Sequence, residues 1–120
     1  MLPQVRTLVE RIVELGRRLP ELQEDRRAAS YRAGRPGAGA DDRDALERAS
    51  AVLVTAEDDL TAAVAGLDEI GVQLKDIRMG LVDFLSYRDG ELVQLCWRLG
   101  EDAIAHWHTL HEGFAGRHRL

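Results

Sequence analysis

Two runs of apolar residues with alternating spacings of three and four constrain the fold of this chain more than any other feature. The first run has six members: Val5, Leu8, Ile12, Leu15, Leu19 and Leu22. The second run alternates large residues with alanine almost to its end: Leu46, Ala49, Leu53, Ala56, Leu60, Ala63, Leu67 and Ile70. This spacing is typical of a helix that packs along another helix. The sequence therefore predicts one helix over residues 1–32 and a second over residues 41–70.

The segments around these helices indicate how they are arranged. Residues 33–40 are rich in glycine, proline and alanine without periodicity, which is typical of a flexible loop. Asp41 or Asp42 is placed to cap the second helix. Because Pro20 presses on the carbonyl group of Gly16, we expect a kink or a break in the first helix there. Two helices joined by such a loop form an antiparallel hairpin.

The distribution of charge supports the same hairpin. The net charge is −5, but residues 1–35 carry eight arginines against five acids, whereas residues 41–70 carry nine acids against two arginines. The basic segment therefore has the acidic segment as its natural partner. Because its arginines are interleaved with acids, we expect no nucleic-acid partner.

From residue 72 onward the pattern changes to that of strands. Gly71 is placed to end the second helix in a left-handed conformation. Two runs rich in β-branched and aromatic residues, 81–87 and 92–97, flank Asp89-Gly90, a strong signal for a two-residue turn. That turn predicts four pairs on one face: Tyr87 with Leu92, Leu85 with Gln94, Asp83 with Cys96, and Leu81 with Arg98. The other face is nearly all apolar and is expected to cover the helices.

The last element is predicted to be a helix over residues 102–113. Gly100-Glu101-Asp102 is typical of an acidic helix start, and a stripe at helical spacing follows it: Ala103, Trp107, Leu110 and Phe114. The sequence thus predicts a single α+β domain over residues 1–120. It consists of a long antiparallel helical hairpin, a small antiparallel sheet over residues 72–99 that contains the hairpin 81–98, and a C-terminal helix.

Several motifs in fixed order run through the last two-fifths of the chain: GLVDF at 80–84, RDG at 88–90, LCWRLGE at 95–101, WH at 107–108 and GFAGR at 113–117. In these motifs the chain resembles a family of short bacterial and archaeal proteins classified as a domain of unknown function. Over residues 1–70 the resemblance is looser and rests on LPQVR at 2–6 and the helical hairpin. The resemblance implies no activity, but it singles out seven positions: Asp83, Trp97, Arg98, Glu101, Trp107, His108 and Arg117.

A cluster of histidines near the C-terminus is the first candidate site. On a helix, His108 shares a face with His111 and Glu112, and such a face can supply two ligands of a transition metal. Further ligands would come from Glu101, Asp83 or Cys96. The competing interpretation, which we favour because a complete ligand set is not visible, is a His108 that is hydrogen-bonded in the interior.

A second candidate site combines Asp83, Arg98, Glu101 and His108. These groups can hold an anionic ligand or carry out acid–base chemistry. A purely structural role is equally concrete and is favoured: Arg98 pairs with Asp83, Glu101 caps the last helix, and His108 bonds a backbone carbonyl. Cys96 is a poor candidate nucleophile, because the neighbouring Asp83 carboxylate raises the pKa of its thiol.

The location, partners and function follow from composition and pattern. A single cysteine is typical of a reducing compartment, so we expect a cytoplasmic protein. Neither a membrane span nor a signal peptide is expected. Apolar residues outside the helical seams, Val9, Val13, Val52 and Val54, exceed what one hairpin can cover. The first hypothesis is therefore a non-enzymatic assembly module that forms a homodimer. The second is a small metal-dependent or anion-binding protein that uses His108 with Asp83, Arg98 and Glu101.

Overall fold

The computed structural model describes residues 2–112 and 116–120 and begins with the predicted helical hairpin. Helix α1 spans Leu2–Ala33 and helix α2 spans Ala40–Glu69. Two contacts show that the helices are antiparallel, since Arg11 lies 3.0 Å from Asp59 and Arg26 lies 3.3 Å from Ser50. No helix in the described part of the chain is both long enough and apolar enough to cross a membrane.

The ends and the middle of these helices differ in detail from the predictions. α1 continues through Pro20, so the chain does not break there. The N-cap of α2 is Gly39, and the Asp42 carboxylate accepts a hydrogen bond from its N–H at 3.2 Å. Asp42 therefore acts from inside the helix, where it also opposes the positive end of the helix dipole. Gly71 follows α2 with φ +77°, the left-handed conformation that was predicted.

In the described part of the chain, five antiparallel strands in sequential order form one sheet after the helices. They are β1 (Val72–Asp76), β2 (Leu81–Arg88), β3 (Glu91–Arg98), β4 (His106–Thr109) and β5 (His118–Arg119). Asp89 and Gly90 form the turn between β2 and β3 with φ values of 51° and 81°. All four predicted pairs, from Tyr87 with Leu92 to Leu81 with Arg98, are confirmed.

The predicted C-terminal helix over 102–113 is wrong within the described residues, because β4 occupies its centre. Residues 106–109 read His-Trp-His-Thr, which alternates between the two faces of a strand. β3 offers an open edge to this segment, and four residue pairs form between them. The helical stripe had only four members, and the last of them, Phe114, lies outside the described residues. Tertiary pairing therefore overrides a weak local signal.

One face of the sheet packs on the N-terminal part of α1 and the C-terminal part of α2 to form the core. The buried core residues come from both helices and from β1, β2 and β3: Val5, Val9, Ile12, Val13, Ala63, Leu67, Val72, Val82, Phe84 and Trp97. Gly80, with φ +64°, lies so close to α1 that a Cβ atom there would meet Val9 Cγ1 and Leu99 Cβ at 2.8 Å. The sheet thus covers Val9 and Val13, two of the four valines expected at a dimer interface. Val52 and Val54 remain exposed.

Candidate metal centre

A buried polar cluster lies on the outer face of the sheet, away from the helices. Asp83 on β2 pairs with Cys96 on β3, and His108 on β4 pairs with Gln94 on β3. Because successive strand residues alternate in direction, these side chains point to the side opposite the core residues Val82 and Trp97. Asp83 and His108 are each 3% exposed and Cys96 is fully buried. Three polar side chains from three neighbouring strands therefore share one buried site.

The His108 ring is held by both of its nitrogens. Nδ1 lies 2.8 Å from the Thr109 carbonyl oxygen, and since a carbonyl only accepts, Nδ1 donates this hydrogen bond. Nε2 lies 3.1 Å from Asp83 Oδ2. The other carboxylate oxygen of Asp83, Oδ1, is buried and has no hydrogen-bond partner among residues 2–112 and 116–120. The predicted contact of His108 with a backbone carbonyl is confirmed, and His108 is a partner of the Asp83 carboxylate.

Cys96 completes the cluster. Its Sγ, one nitrogen of His108 and one oxygen of Asp83 all lie within 4.8 Å of one another. Burial raises the pKa of the Cys96 thiol, and the Asp83 charge adds to this, as predicted. A hydrogen bond donated by Arg117 acts in the opposite direction and favours the thiolate. The thiol is therefore protonated at neutral pH in the absence of a metal, with a cation in place to support its ionised form.

A second group of charges borders the cluster. The Arg117 guanidinium lies 3.3 Å from both carboxylate oxygens of Glu101. Glu101 Oε1 also accepts a hydrogen bond from the backbone N–H of Arg98 at 2.7 Å, and Oε2 lies 3.6 Å from His106 Nδ1. Glu101 thus anchors Arg117 beside Cys96. It does not cap a helix as predicted.

A cavity of about 240 Å³ adjoins the cluster and gives it a path to solvent. Asp83 and His108 form part of its wall. The rest of the wall is mixed in character: Lys75, Leu81, Gln94, Leu110 and Glu112. A small ion that enters through this cavity passes Lys75 and Glu112, two groups of opposite charge.

Among the described residues, His111 and Glu112 add no donor atom to the cluster. His111 is exposed in the turn after β4. Glu112 Oε1 accepts a hydrogen bond from the Thr109 N–H at 3.1 Å and lies 3.2 Å from His118 Nε2. The Arg98 side chain is exposed at the end of β3. Spacings of three and four residues bring side chains together on a helix, but β4 is a strand, so the predicted set of His108, His111 and Glu112 does not converge.

The sequence predicts two residues of the site to different degrees. Cys96 is among the further metal ligands that it offers, and the predicted register places it opposite Asp83. Arg117 was noted only through the family resemblance. The available signal was the alternation His106-Trp107-His108, which on a strand places both histidines on the face that carries Asp83 and Cys96. Trp107 then faces the other way, where its ring lies 4.6 Å from that of His118 and 4.8 Å from the Arg88 guanidinium carbon.

The three donor types of the cluster suit a borderline transition metal. A tetrahedral zinc ion bound at about 2.0–2.3 Å holds its ligand atoms about 3.3–3.8 Å apart. The three ligand atoms already lie within 4.8 Å of one another. They need to approach by about 1–1.5 Å at most to reach that spacing. The Nδ1 hydrogen bond to Thr109 fixes the ring with Nε2 toward the ligand position, as outer hydrogen bonds commonly do for metal-binding histidines.

Comparison with known proteins places the chain in a family without assigning it a role. No curated protein and no solved structure matches the chain. A family model described as "Uncharacterized conserved protein (DUF2203)" matches residues 1–120. The resemblance inferred from the C-terminal motifs is therefore confirmed and extends over the helical hairpin as well. The chain belongs to this uncharacterised conserved family, DUF2203.

Proposed function

We propose that the protein binds one divalent transition metal ion through His108 Nε2, the Cys96 thiolate and the Asp83 carboxylate. The observation that carries this proposal is the convergence of three different donor atoms in one buried place, within 4.8 Å of one another. The unpartnered Asp83 Oδ1 supports it independently. A buried carboxylate oxygen without a hydrogen bond costs free energy, and a metal ligand position removes that cost.

The donor set indicates the class of metal. Magnesium and calcium bind through oxygen, so a thiolate and an imidazole disfavour them. A mixed set of nitrogen, sulfur and oxygen suits zinc and its neighbours in the first transition row. Three ligands leave one tetrahedral position for water or a small ligand, the arrangement found where a metal takes part in exchange or reaction.

The geometry favours metal binding over the two competing interpretations. A purely structural His108–Asp83 pair explains neither the buried thiol beside it nor the orphaned Oδ1. An anion bound at the cluster would lie beside the buried Asp83 carboxylate, which repels it. Arg117 reaches Cys96 and supports a thiolate, which a metal requires and an anion opposes.

Metal titration of chelator-treated protein, expressed without a histidine tag, tests the proposal. We expect one zinc or cobalt ion per chain and, with cobalt, a thiolate-to-metal charge-transfer band. Binding at a hundredfold excess over Kd would add about 2.7 kcal/mol of stability and raise Tm by roughly 10 °C. Cys96→Ser should abolish the cobalt band, and Asp83→Asn should weaken affinity by at least about tenfold.

His111→Gln is the matched control, because it removes an exposed histidine two residues beyond β4 while leaving the cluster intact. It should bind metal as the wild type does. Circular dichroism of each metal-free variant separates loss of a ligand from loss of the fold. Absence of stoichiometric binding by the folded wild type, or equal loss in His111→Gln and Cys96→Ser, contradicts the proposal.

A further inference from the structure

The distal hairpin, defined as residues 16–55, buries little of its own surface. Within this range only Ala29 is buried, while Val52 is 46% and Val54 is 53% exposed. The molecule measures 70 × 24 × 22 Å and has a radius of gyration of 19.7 Å. A compact chain of this length has a radius of gyration of about 14 Å. The distal hairpin is therefore a two-helix arm that extends beyond the sheet.

A groove of about 260 Å³ lies along one side of this arm, where it leaves the sheet. Its lining is mostly small or apolar and includes one cation and one anion: Leu15, Arg18, Ala51, Val52, Thr55, Ala56 and Asp59. The Asp59 carboxylate is already 3.0 Å from Arg11 of the same chain. Arg18 comes two turns after Arg11 along α1. The groove therefore has an apolar floor, a projecting valine and an arginine at its border.

We propose that this groove is an interface between two copies of the chain related by a two-fold axis. A two-fold axis joins a patch to itself, so the patch must contain both a recess and something that fills it. The groove supplies the recess, and the exposed Val52 side chain at its border supplies the filling group. Two such arms form an antiparallel four-helix bundle, which buries the apolar faces that one arm leaves exposed.

The charges of the arm favour a second copy as the occupant. Residues 16–33 of α1 carry five arginines and three acids, and residues 40–58 of α2 carry six acids and two arginines. In the antiparallel bundle, α1 of one copy lies against α2 of the other, so that opposite charges meet. The arm thus carries both a basic and an acidic surface that can pair with those of a second copy. This pairing does not depend on whether a metal is bound.

Sedimentation equilibrium of the full chain with two lysine variants tests the interface. Val52→Lys places an ammonium group in the groove, whereas Val54→Lys makes the same change about 160° away around α2. We expect the wild type and Val54→Lys to dimerise in the micromolar range and Val52→Lys to lose at least about tenfold in dimer affinity. Raising the salt concentration should weaken the wild-type dimer, because exposed charges are screened.

Two results would overturn the interface. One is a wild-type chain that stays monomeric at high micromolar concentration, with the groove then left for a different protein. The other is equal dissociation by Val52→Lys and Val54→Lys, since the groove then has no special role. Circular dichroism confirms that both variants keep their helices. All samples contain a chelator, so the outcome is independent of the metal centre.

Discussion

The proximal part of the molecule consists of the sheet and of helix residues 2–15 and 56–69. It shares the alternating helical spacing of the distal hairpin, but the two parts differ in how much apolar surface they bury. In the proximal part, α1 and α2 are covered by the sheet, and Val5, Val9, Ile12 and Leu67 are fully buried. In residues 16–55 the same spacing continues, yet only Ala29 is buried. A two-helix seam rich in alanine permits close backbone approach but removes little apolar surface from water. Stability therefore resides in the proximal part, and the arm remains available for association.

Truncating one leucine in each part of α2 is the strongest test of this difference. Leu67 is fully buried between α1 and the sheet, whereas Leu53 is half-buried in the arm. Leu67→Ala should lower the free energy of unfolding by about 3–5 kcal/mol and Leu53→Ala by about 1–2 kcal/mol. Urea denaturation at low protein concentration measures both values. Equal losses would mean that the arm has a core of its own.

Two glycines with positive φ provide a matched test of close packing. A Cβ at Gly80 would meet Val9 and Leu99 at 2.8 Å, whereas nothing lies within 4 Å of the corresponding position at Gly37 in the loop of the arm. Gly80→Ala should cost about 2–4 kcal/mol, since backbone strain and overpacking add. Gly37→Ala should cost about 1 kcal/mol from strain alone. Thermal unfolding of the two variants gives the comparison directly, and a cost at Gly37 as large as that at Gly80 would contradict it.

Hydrogen exchange measures the same contrast without mutation. Amides of β2 and β3 near Val82 and Trp97 should exchange only through global unfolding, because both side chains are fully buried. Amides of α1 and α2 beyond Gly16 and before Thr55 should open at lower free energy. Dilution should increase this difference if the arm is protected by dimerisation. Uniform protection along both helices at low concentration would remove the distinction.

Glu112, in the proximal part, should make the free energy of unfolding weakly dependent on pH in the acidic range. The hydrogen bond from the Thr109 N–H, with a smaller contribution from His118, lowers the pKa of Glu112. The resulting stabilisation is present above the ordinary glutamate pKa and is lost as the pH falls through the lowered folded-state value. Glu112→Gln should therefore flatten the decline in stability over that acidic range. Glu47→Gln, an equal change at an exposed position in the arm, should leave the decline as in the wild type when urea midpoints are compared.

The parts of the fold that the sequence predicted depend on strong local signals. The Asp89-Gly90 turn determines the register of every pair in the β2–β3 hairpin, because a two-residue turn leaves no freedom in alignment. The alternating spacing of three and four predicted both long helices. β4 was missed because four residues provide too little periodicity, and its pairing with β3 depends on an edge that exists only after the hairpin has folded.

The candidate site was predicted in part for the same reason. Asp83 and Cys96 face each other through the local hairpin register, so the sequence alone places them together. His108 joins them through β4, which is non-local, and the helical interpretation gave it the wrong neighbours. The sequence also predicts Arg98 as a neighbour of Asp83 on the same face of the hairpin. The non-local strand β4 adds His108, whose Nε2 lies 3.1 Å from the carboxylate.

The separation of the arm from the sheet also bears on how the length of this chain can vary. Removal of seven residues from each helix beyond the groove preserves the alternating spacing, so the seam stays in register. Such a change shortens the arm by about 10 Å and moves no residue of the sheet. The arm of this fold can therefore change in length in steps of about seven residues per helix while Asp83, Cys96 and His108 stay in place.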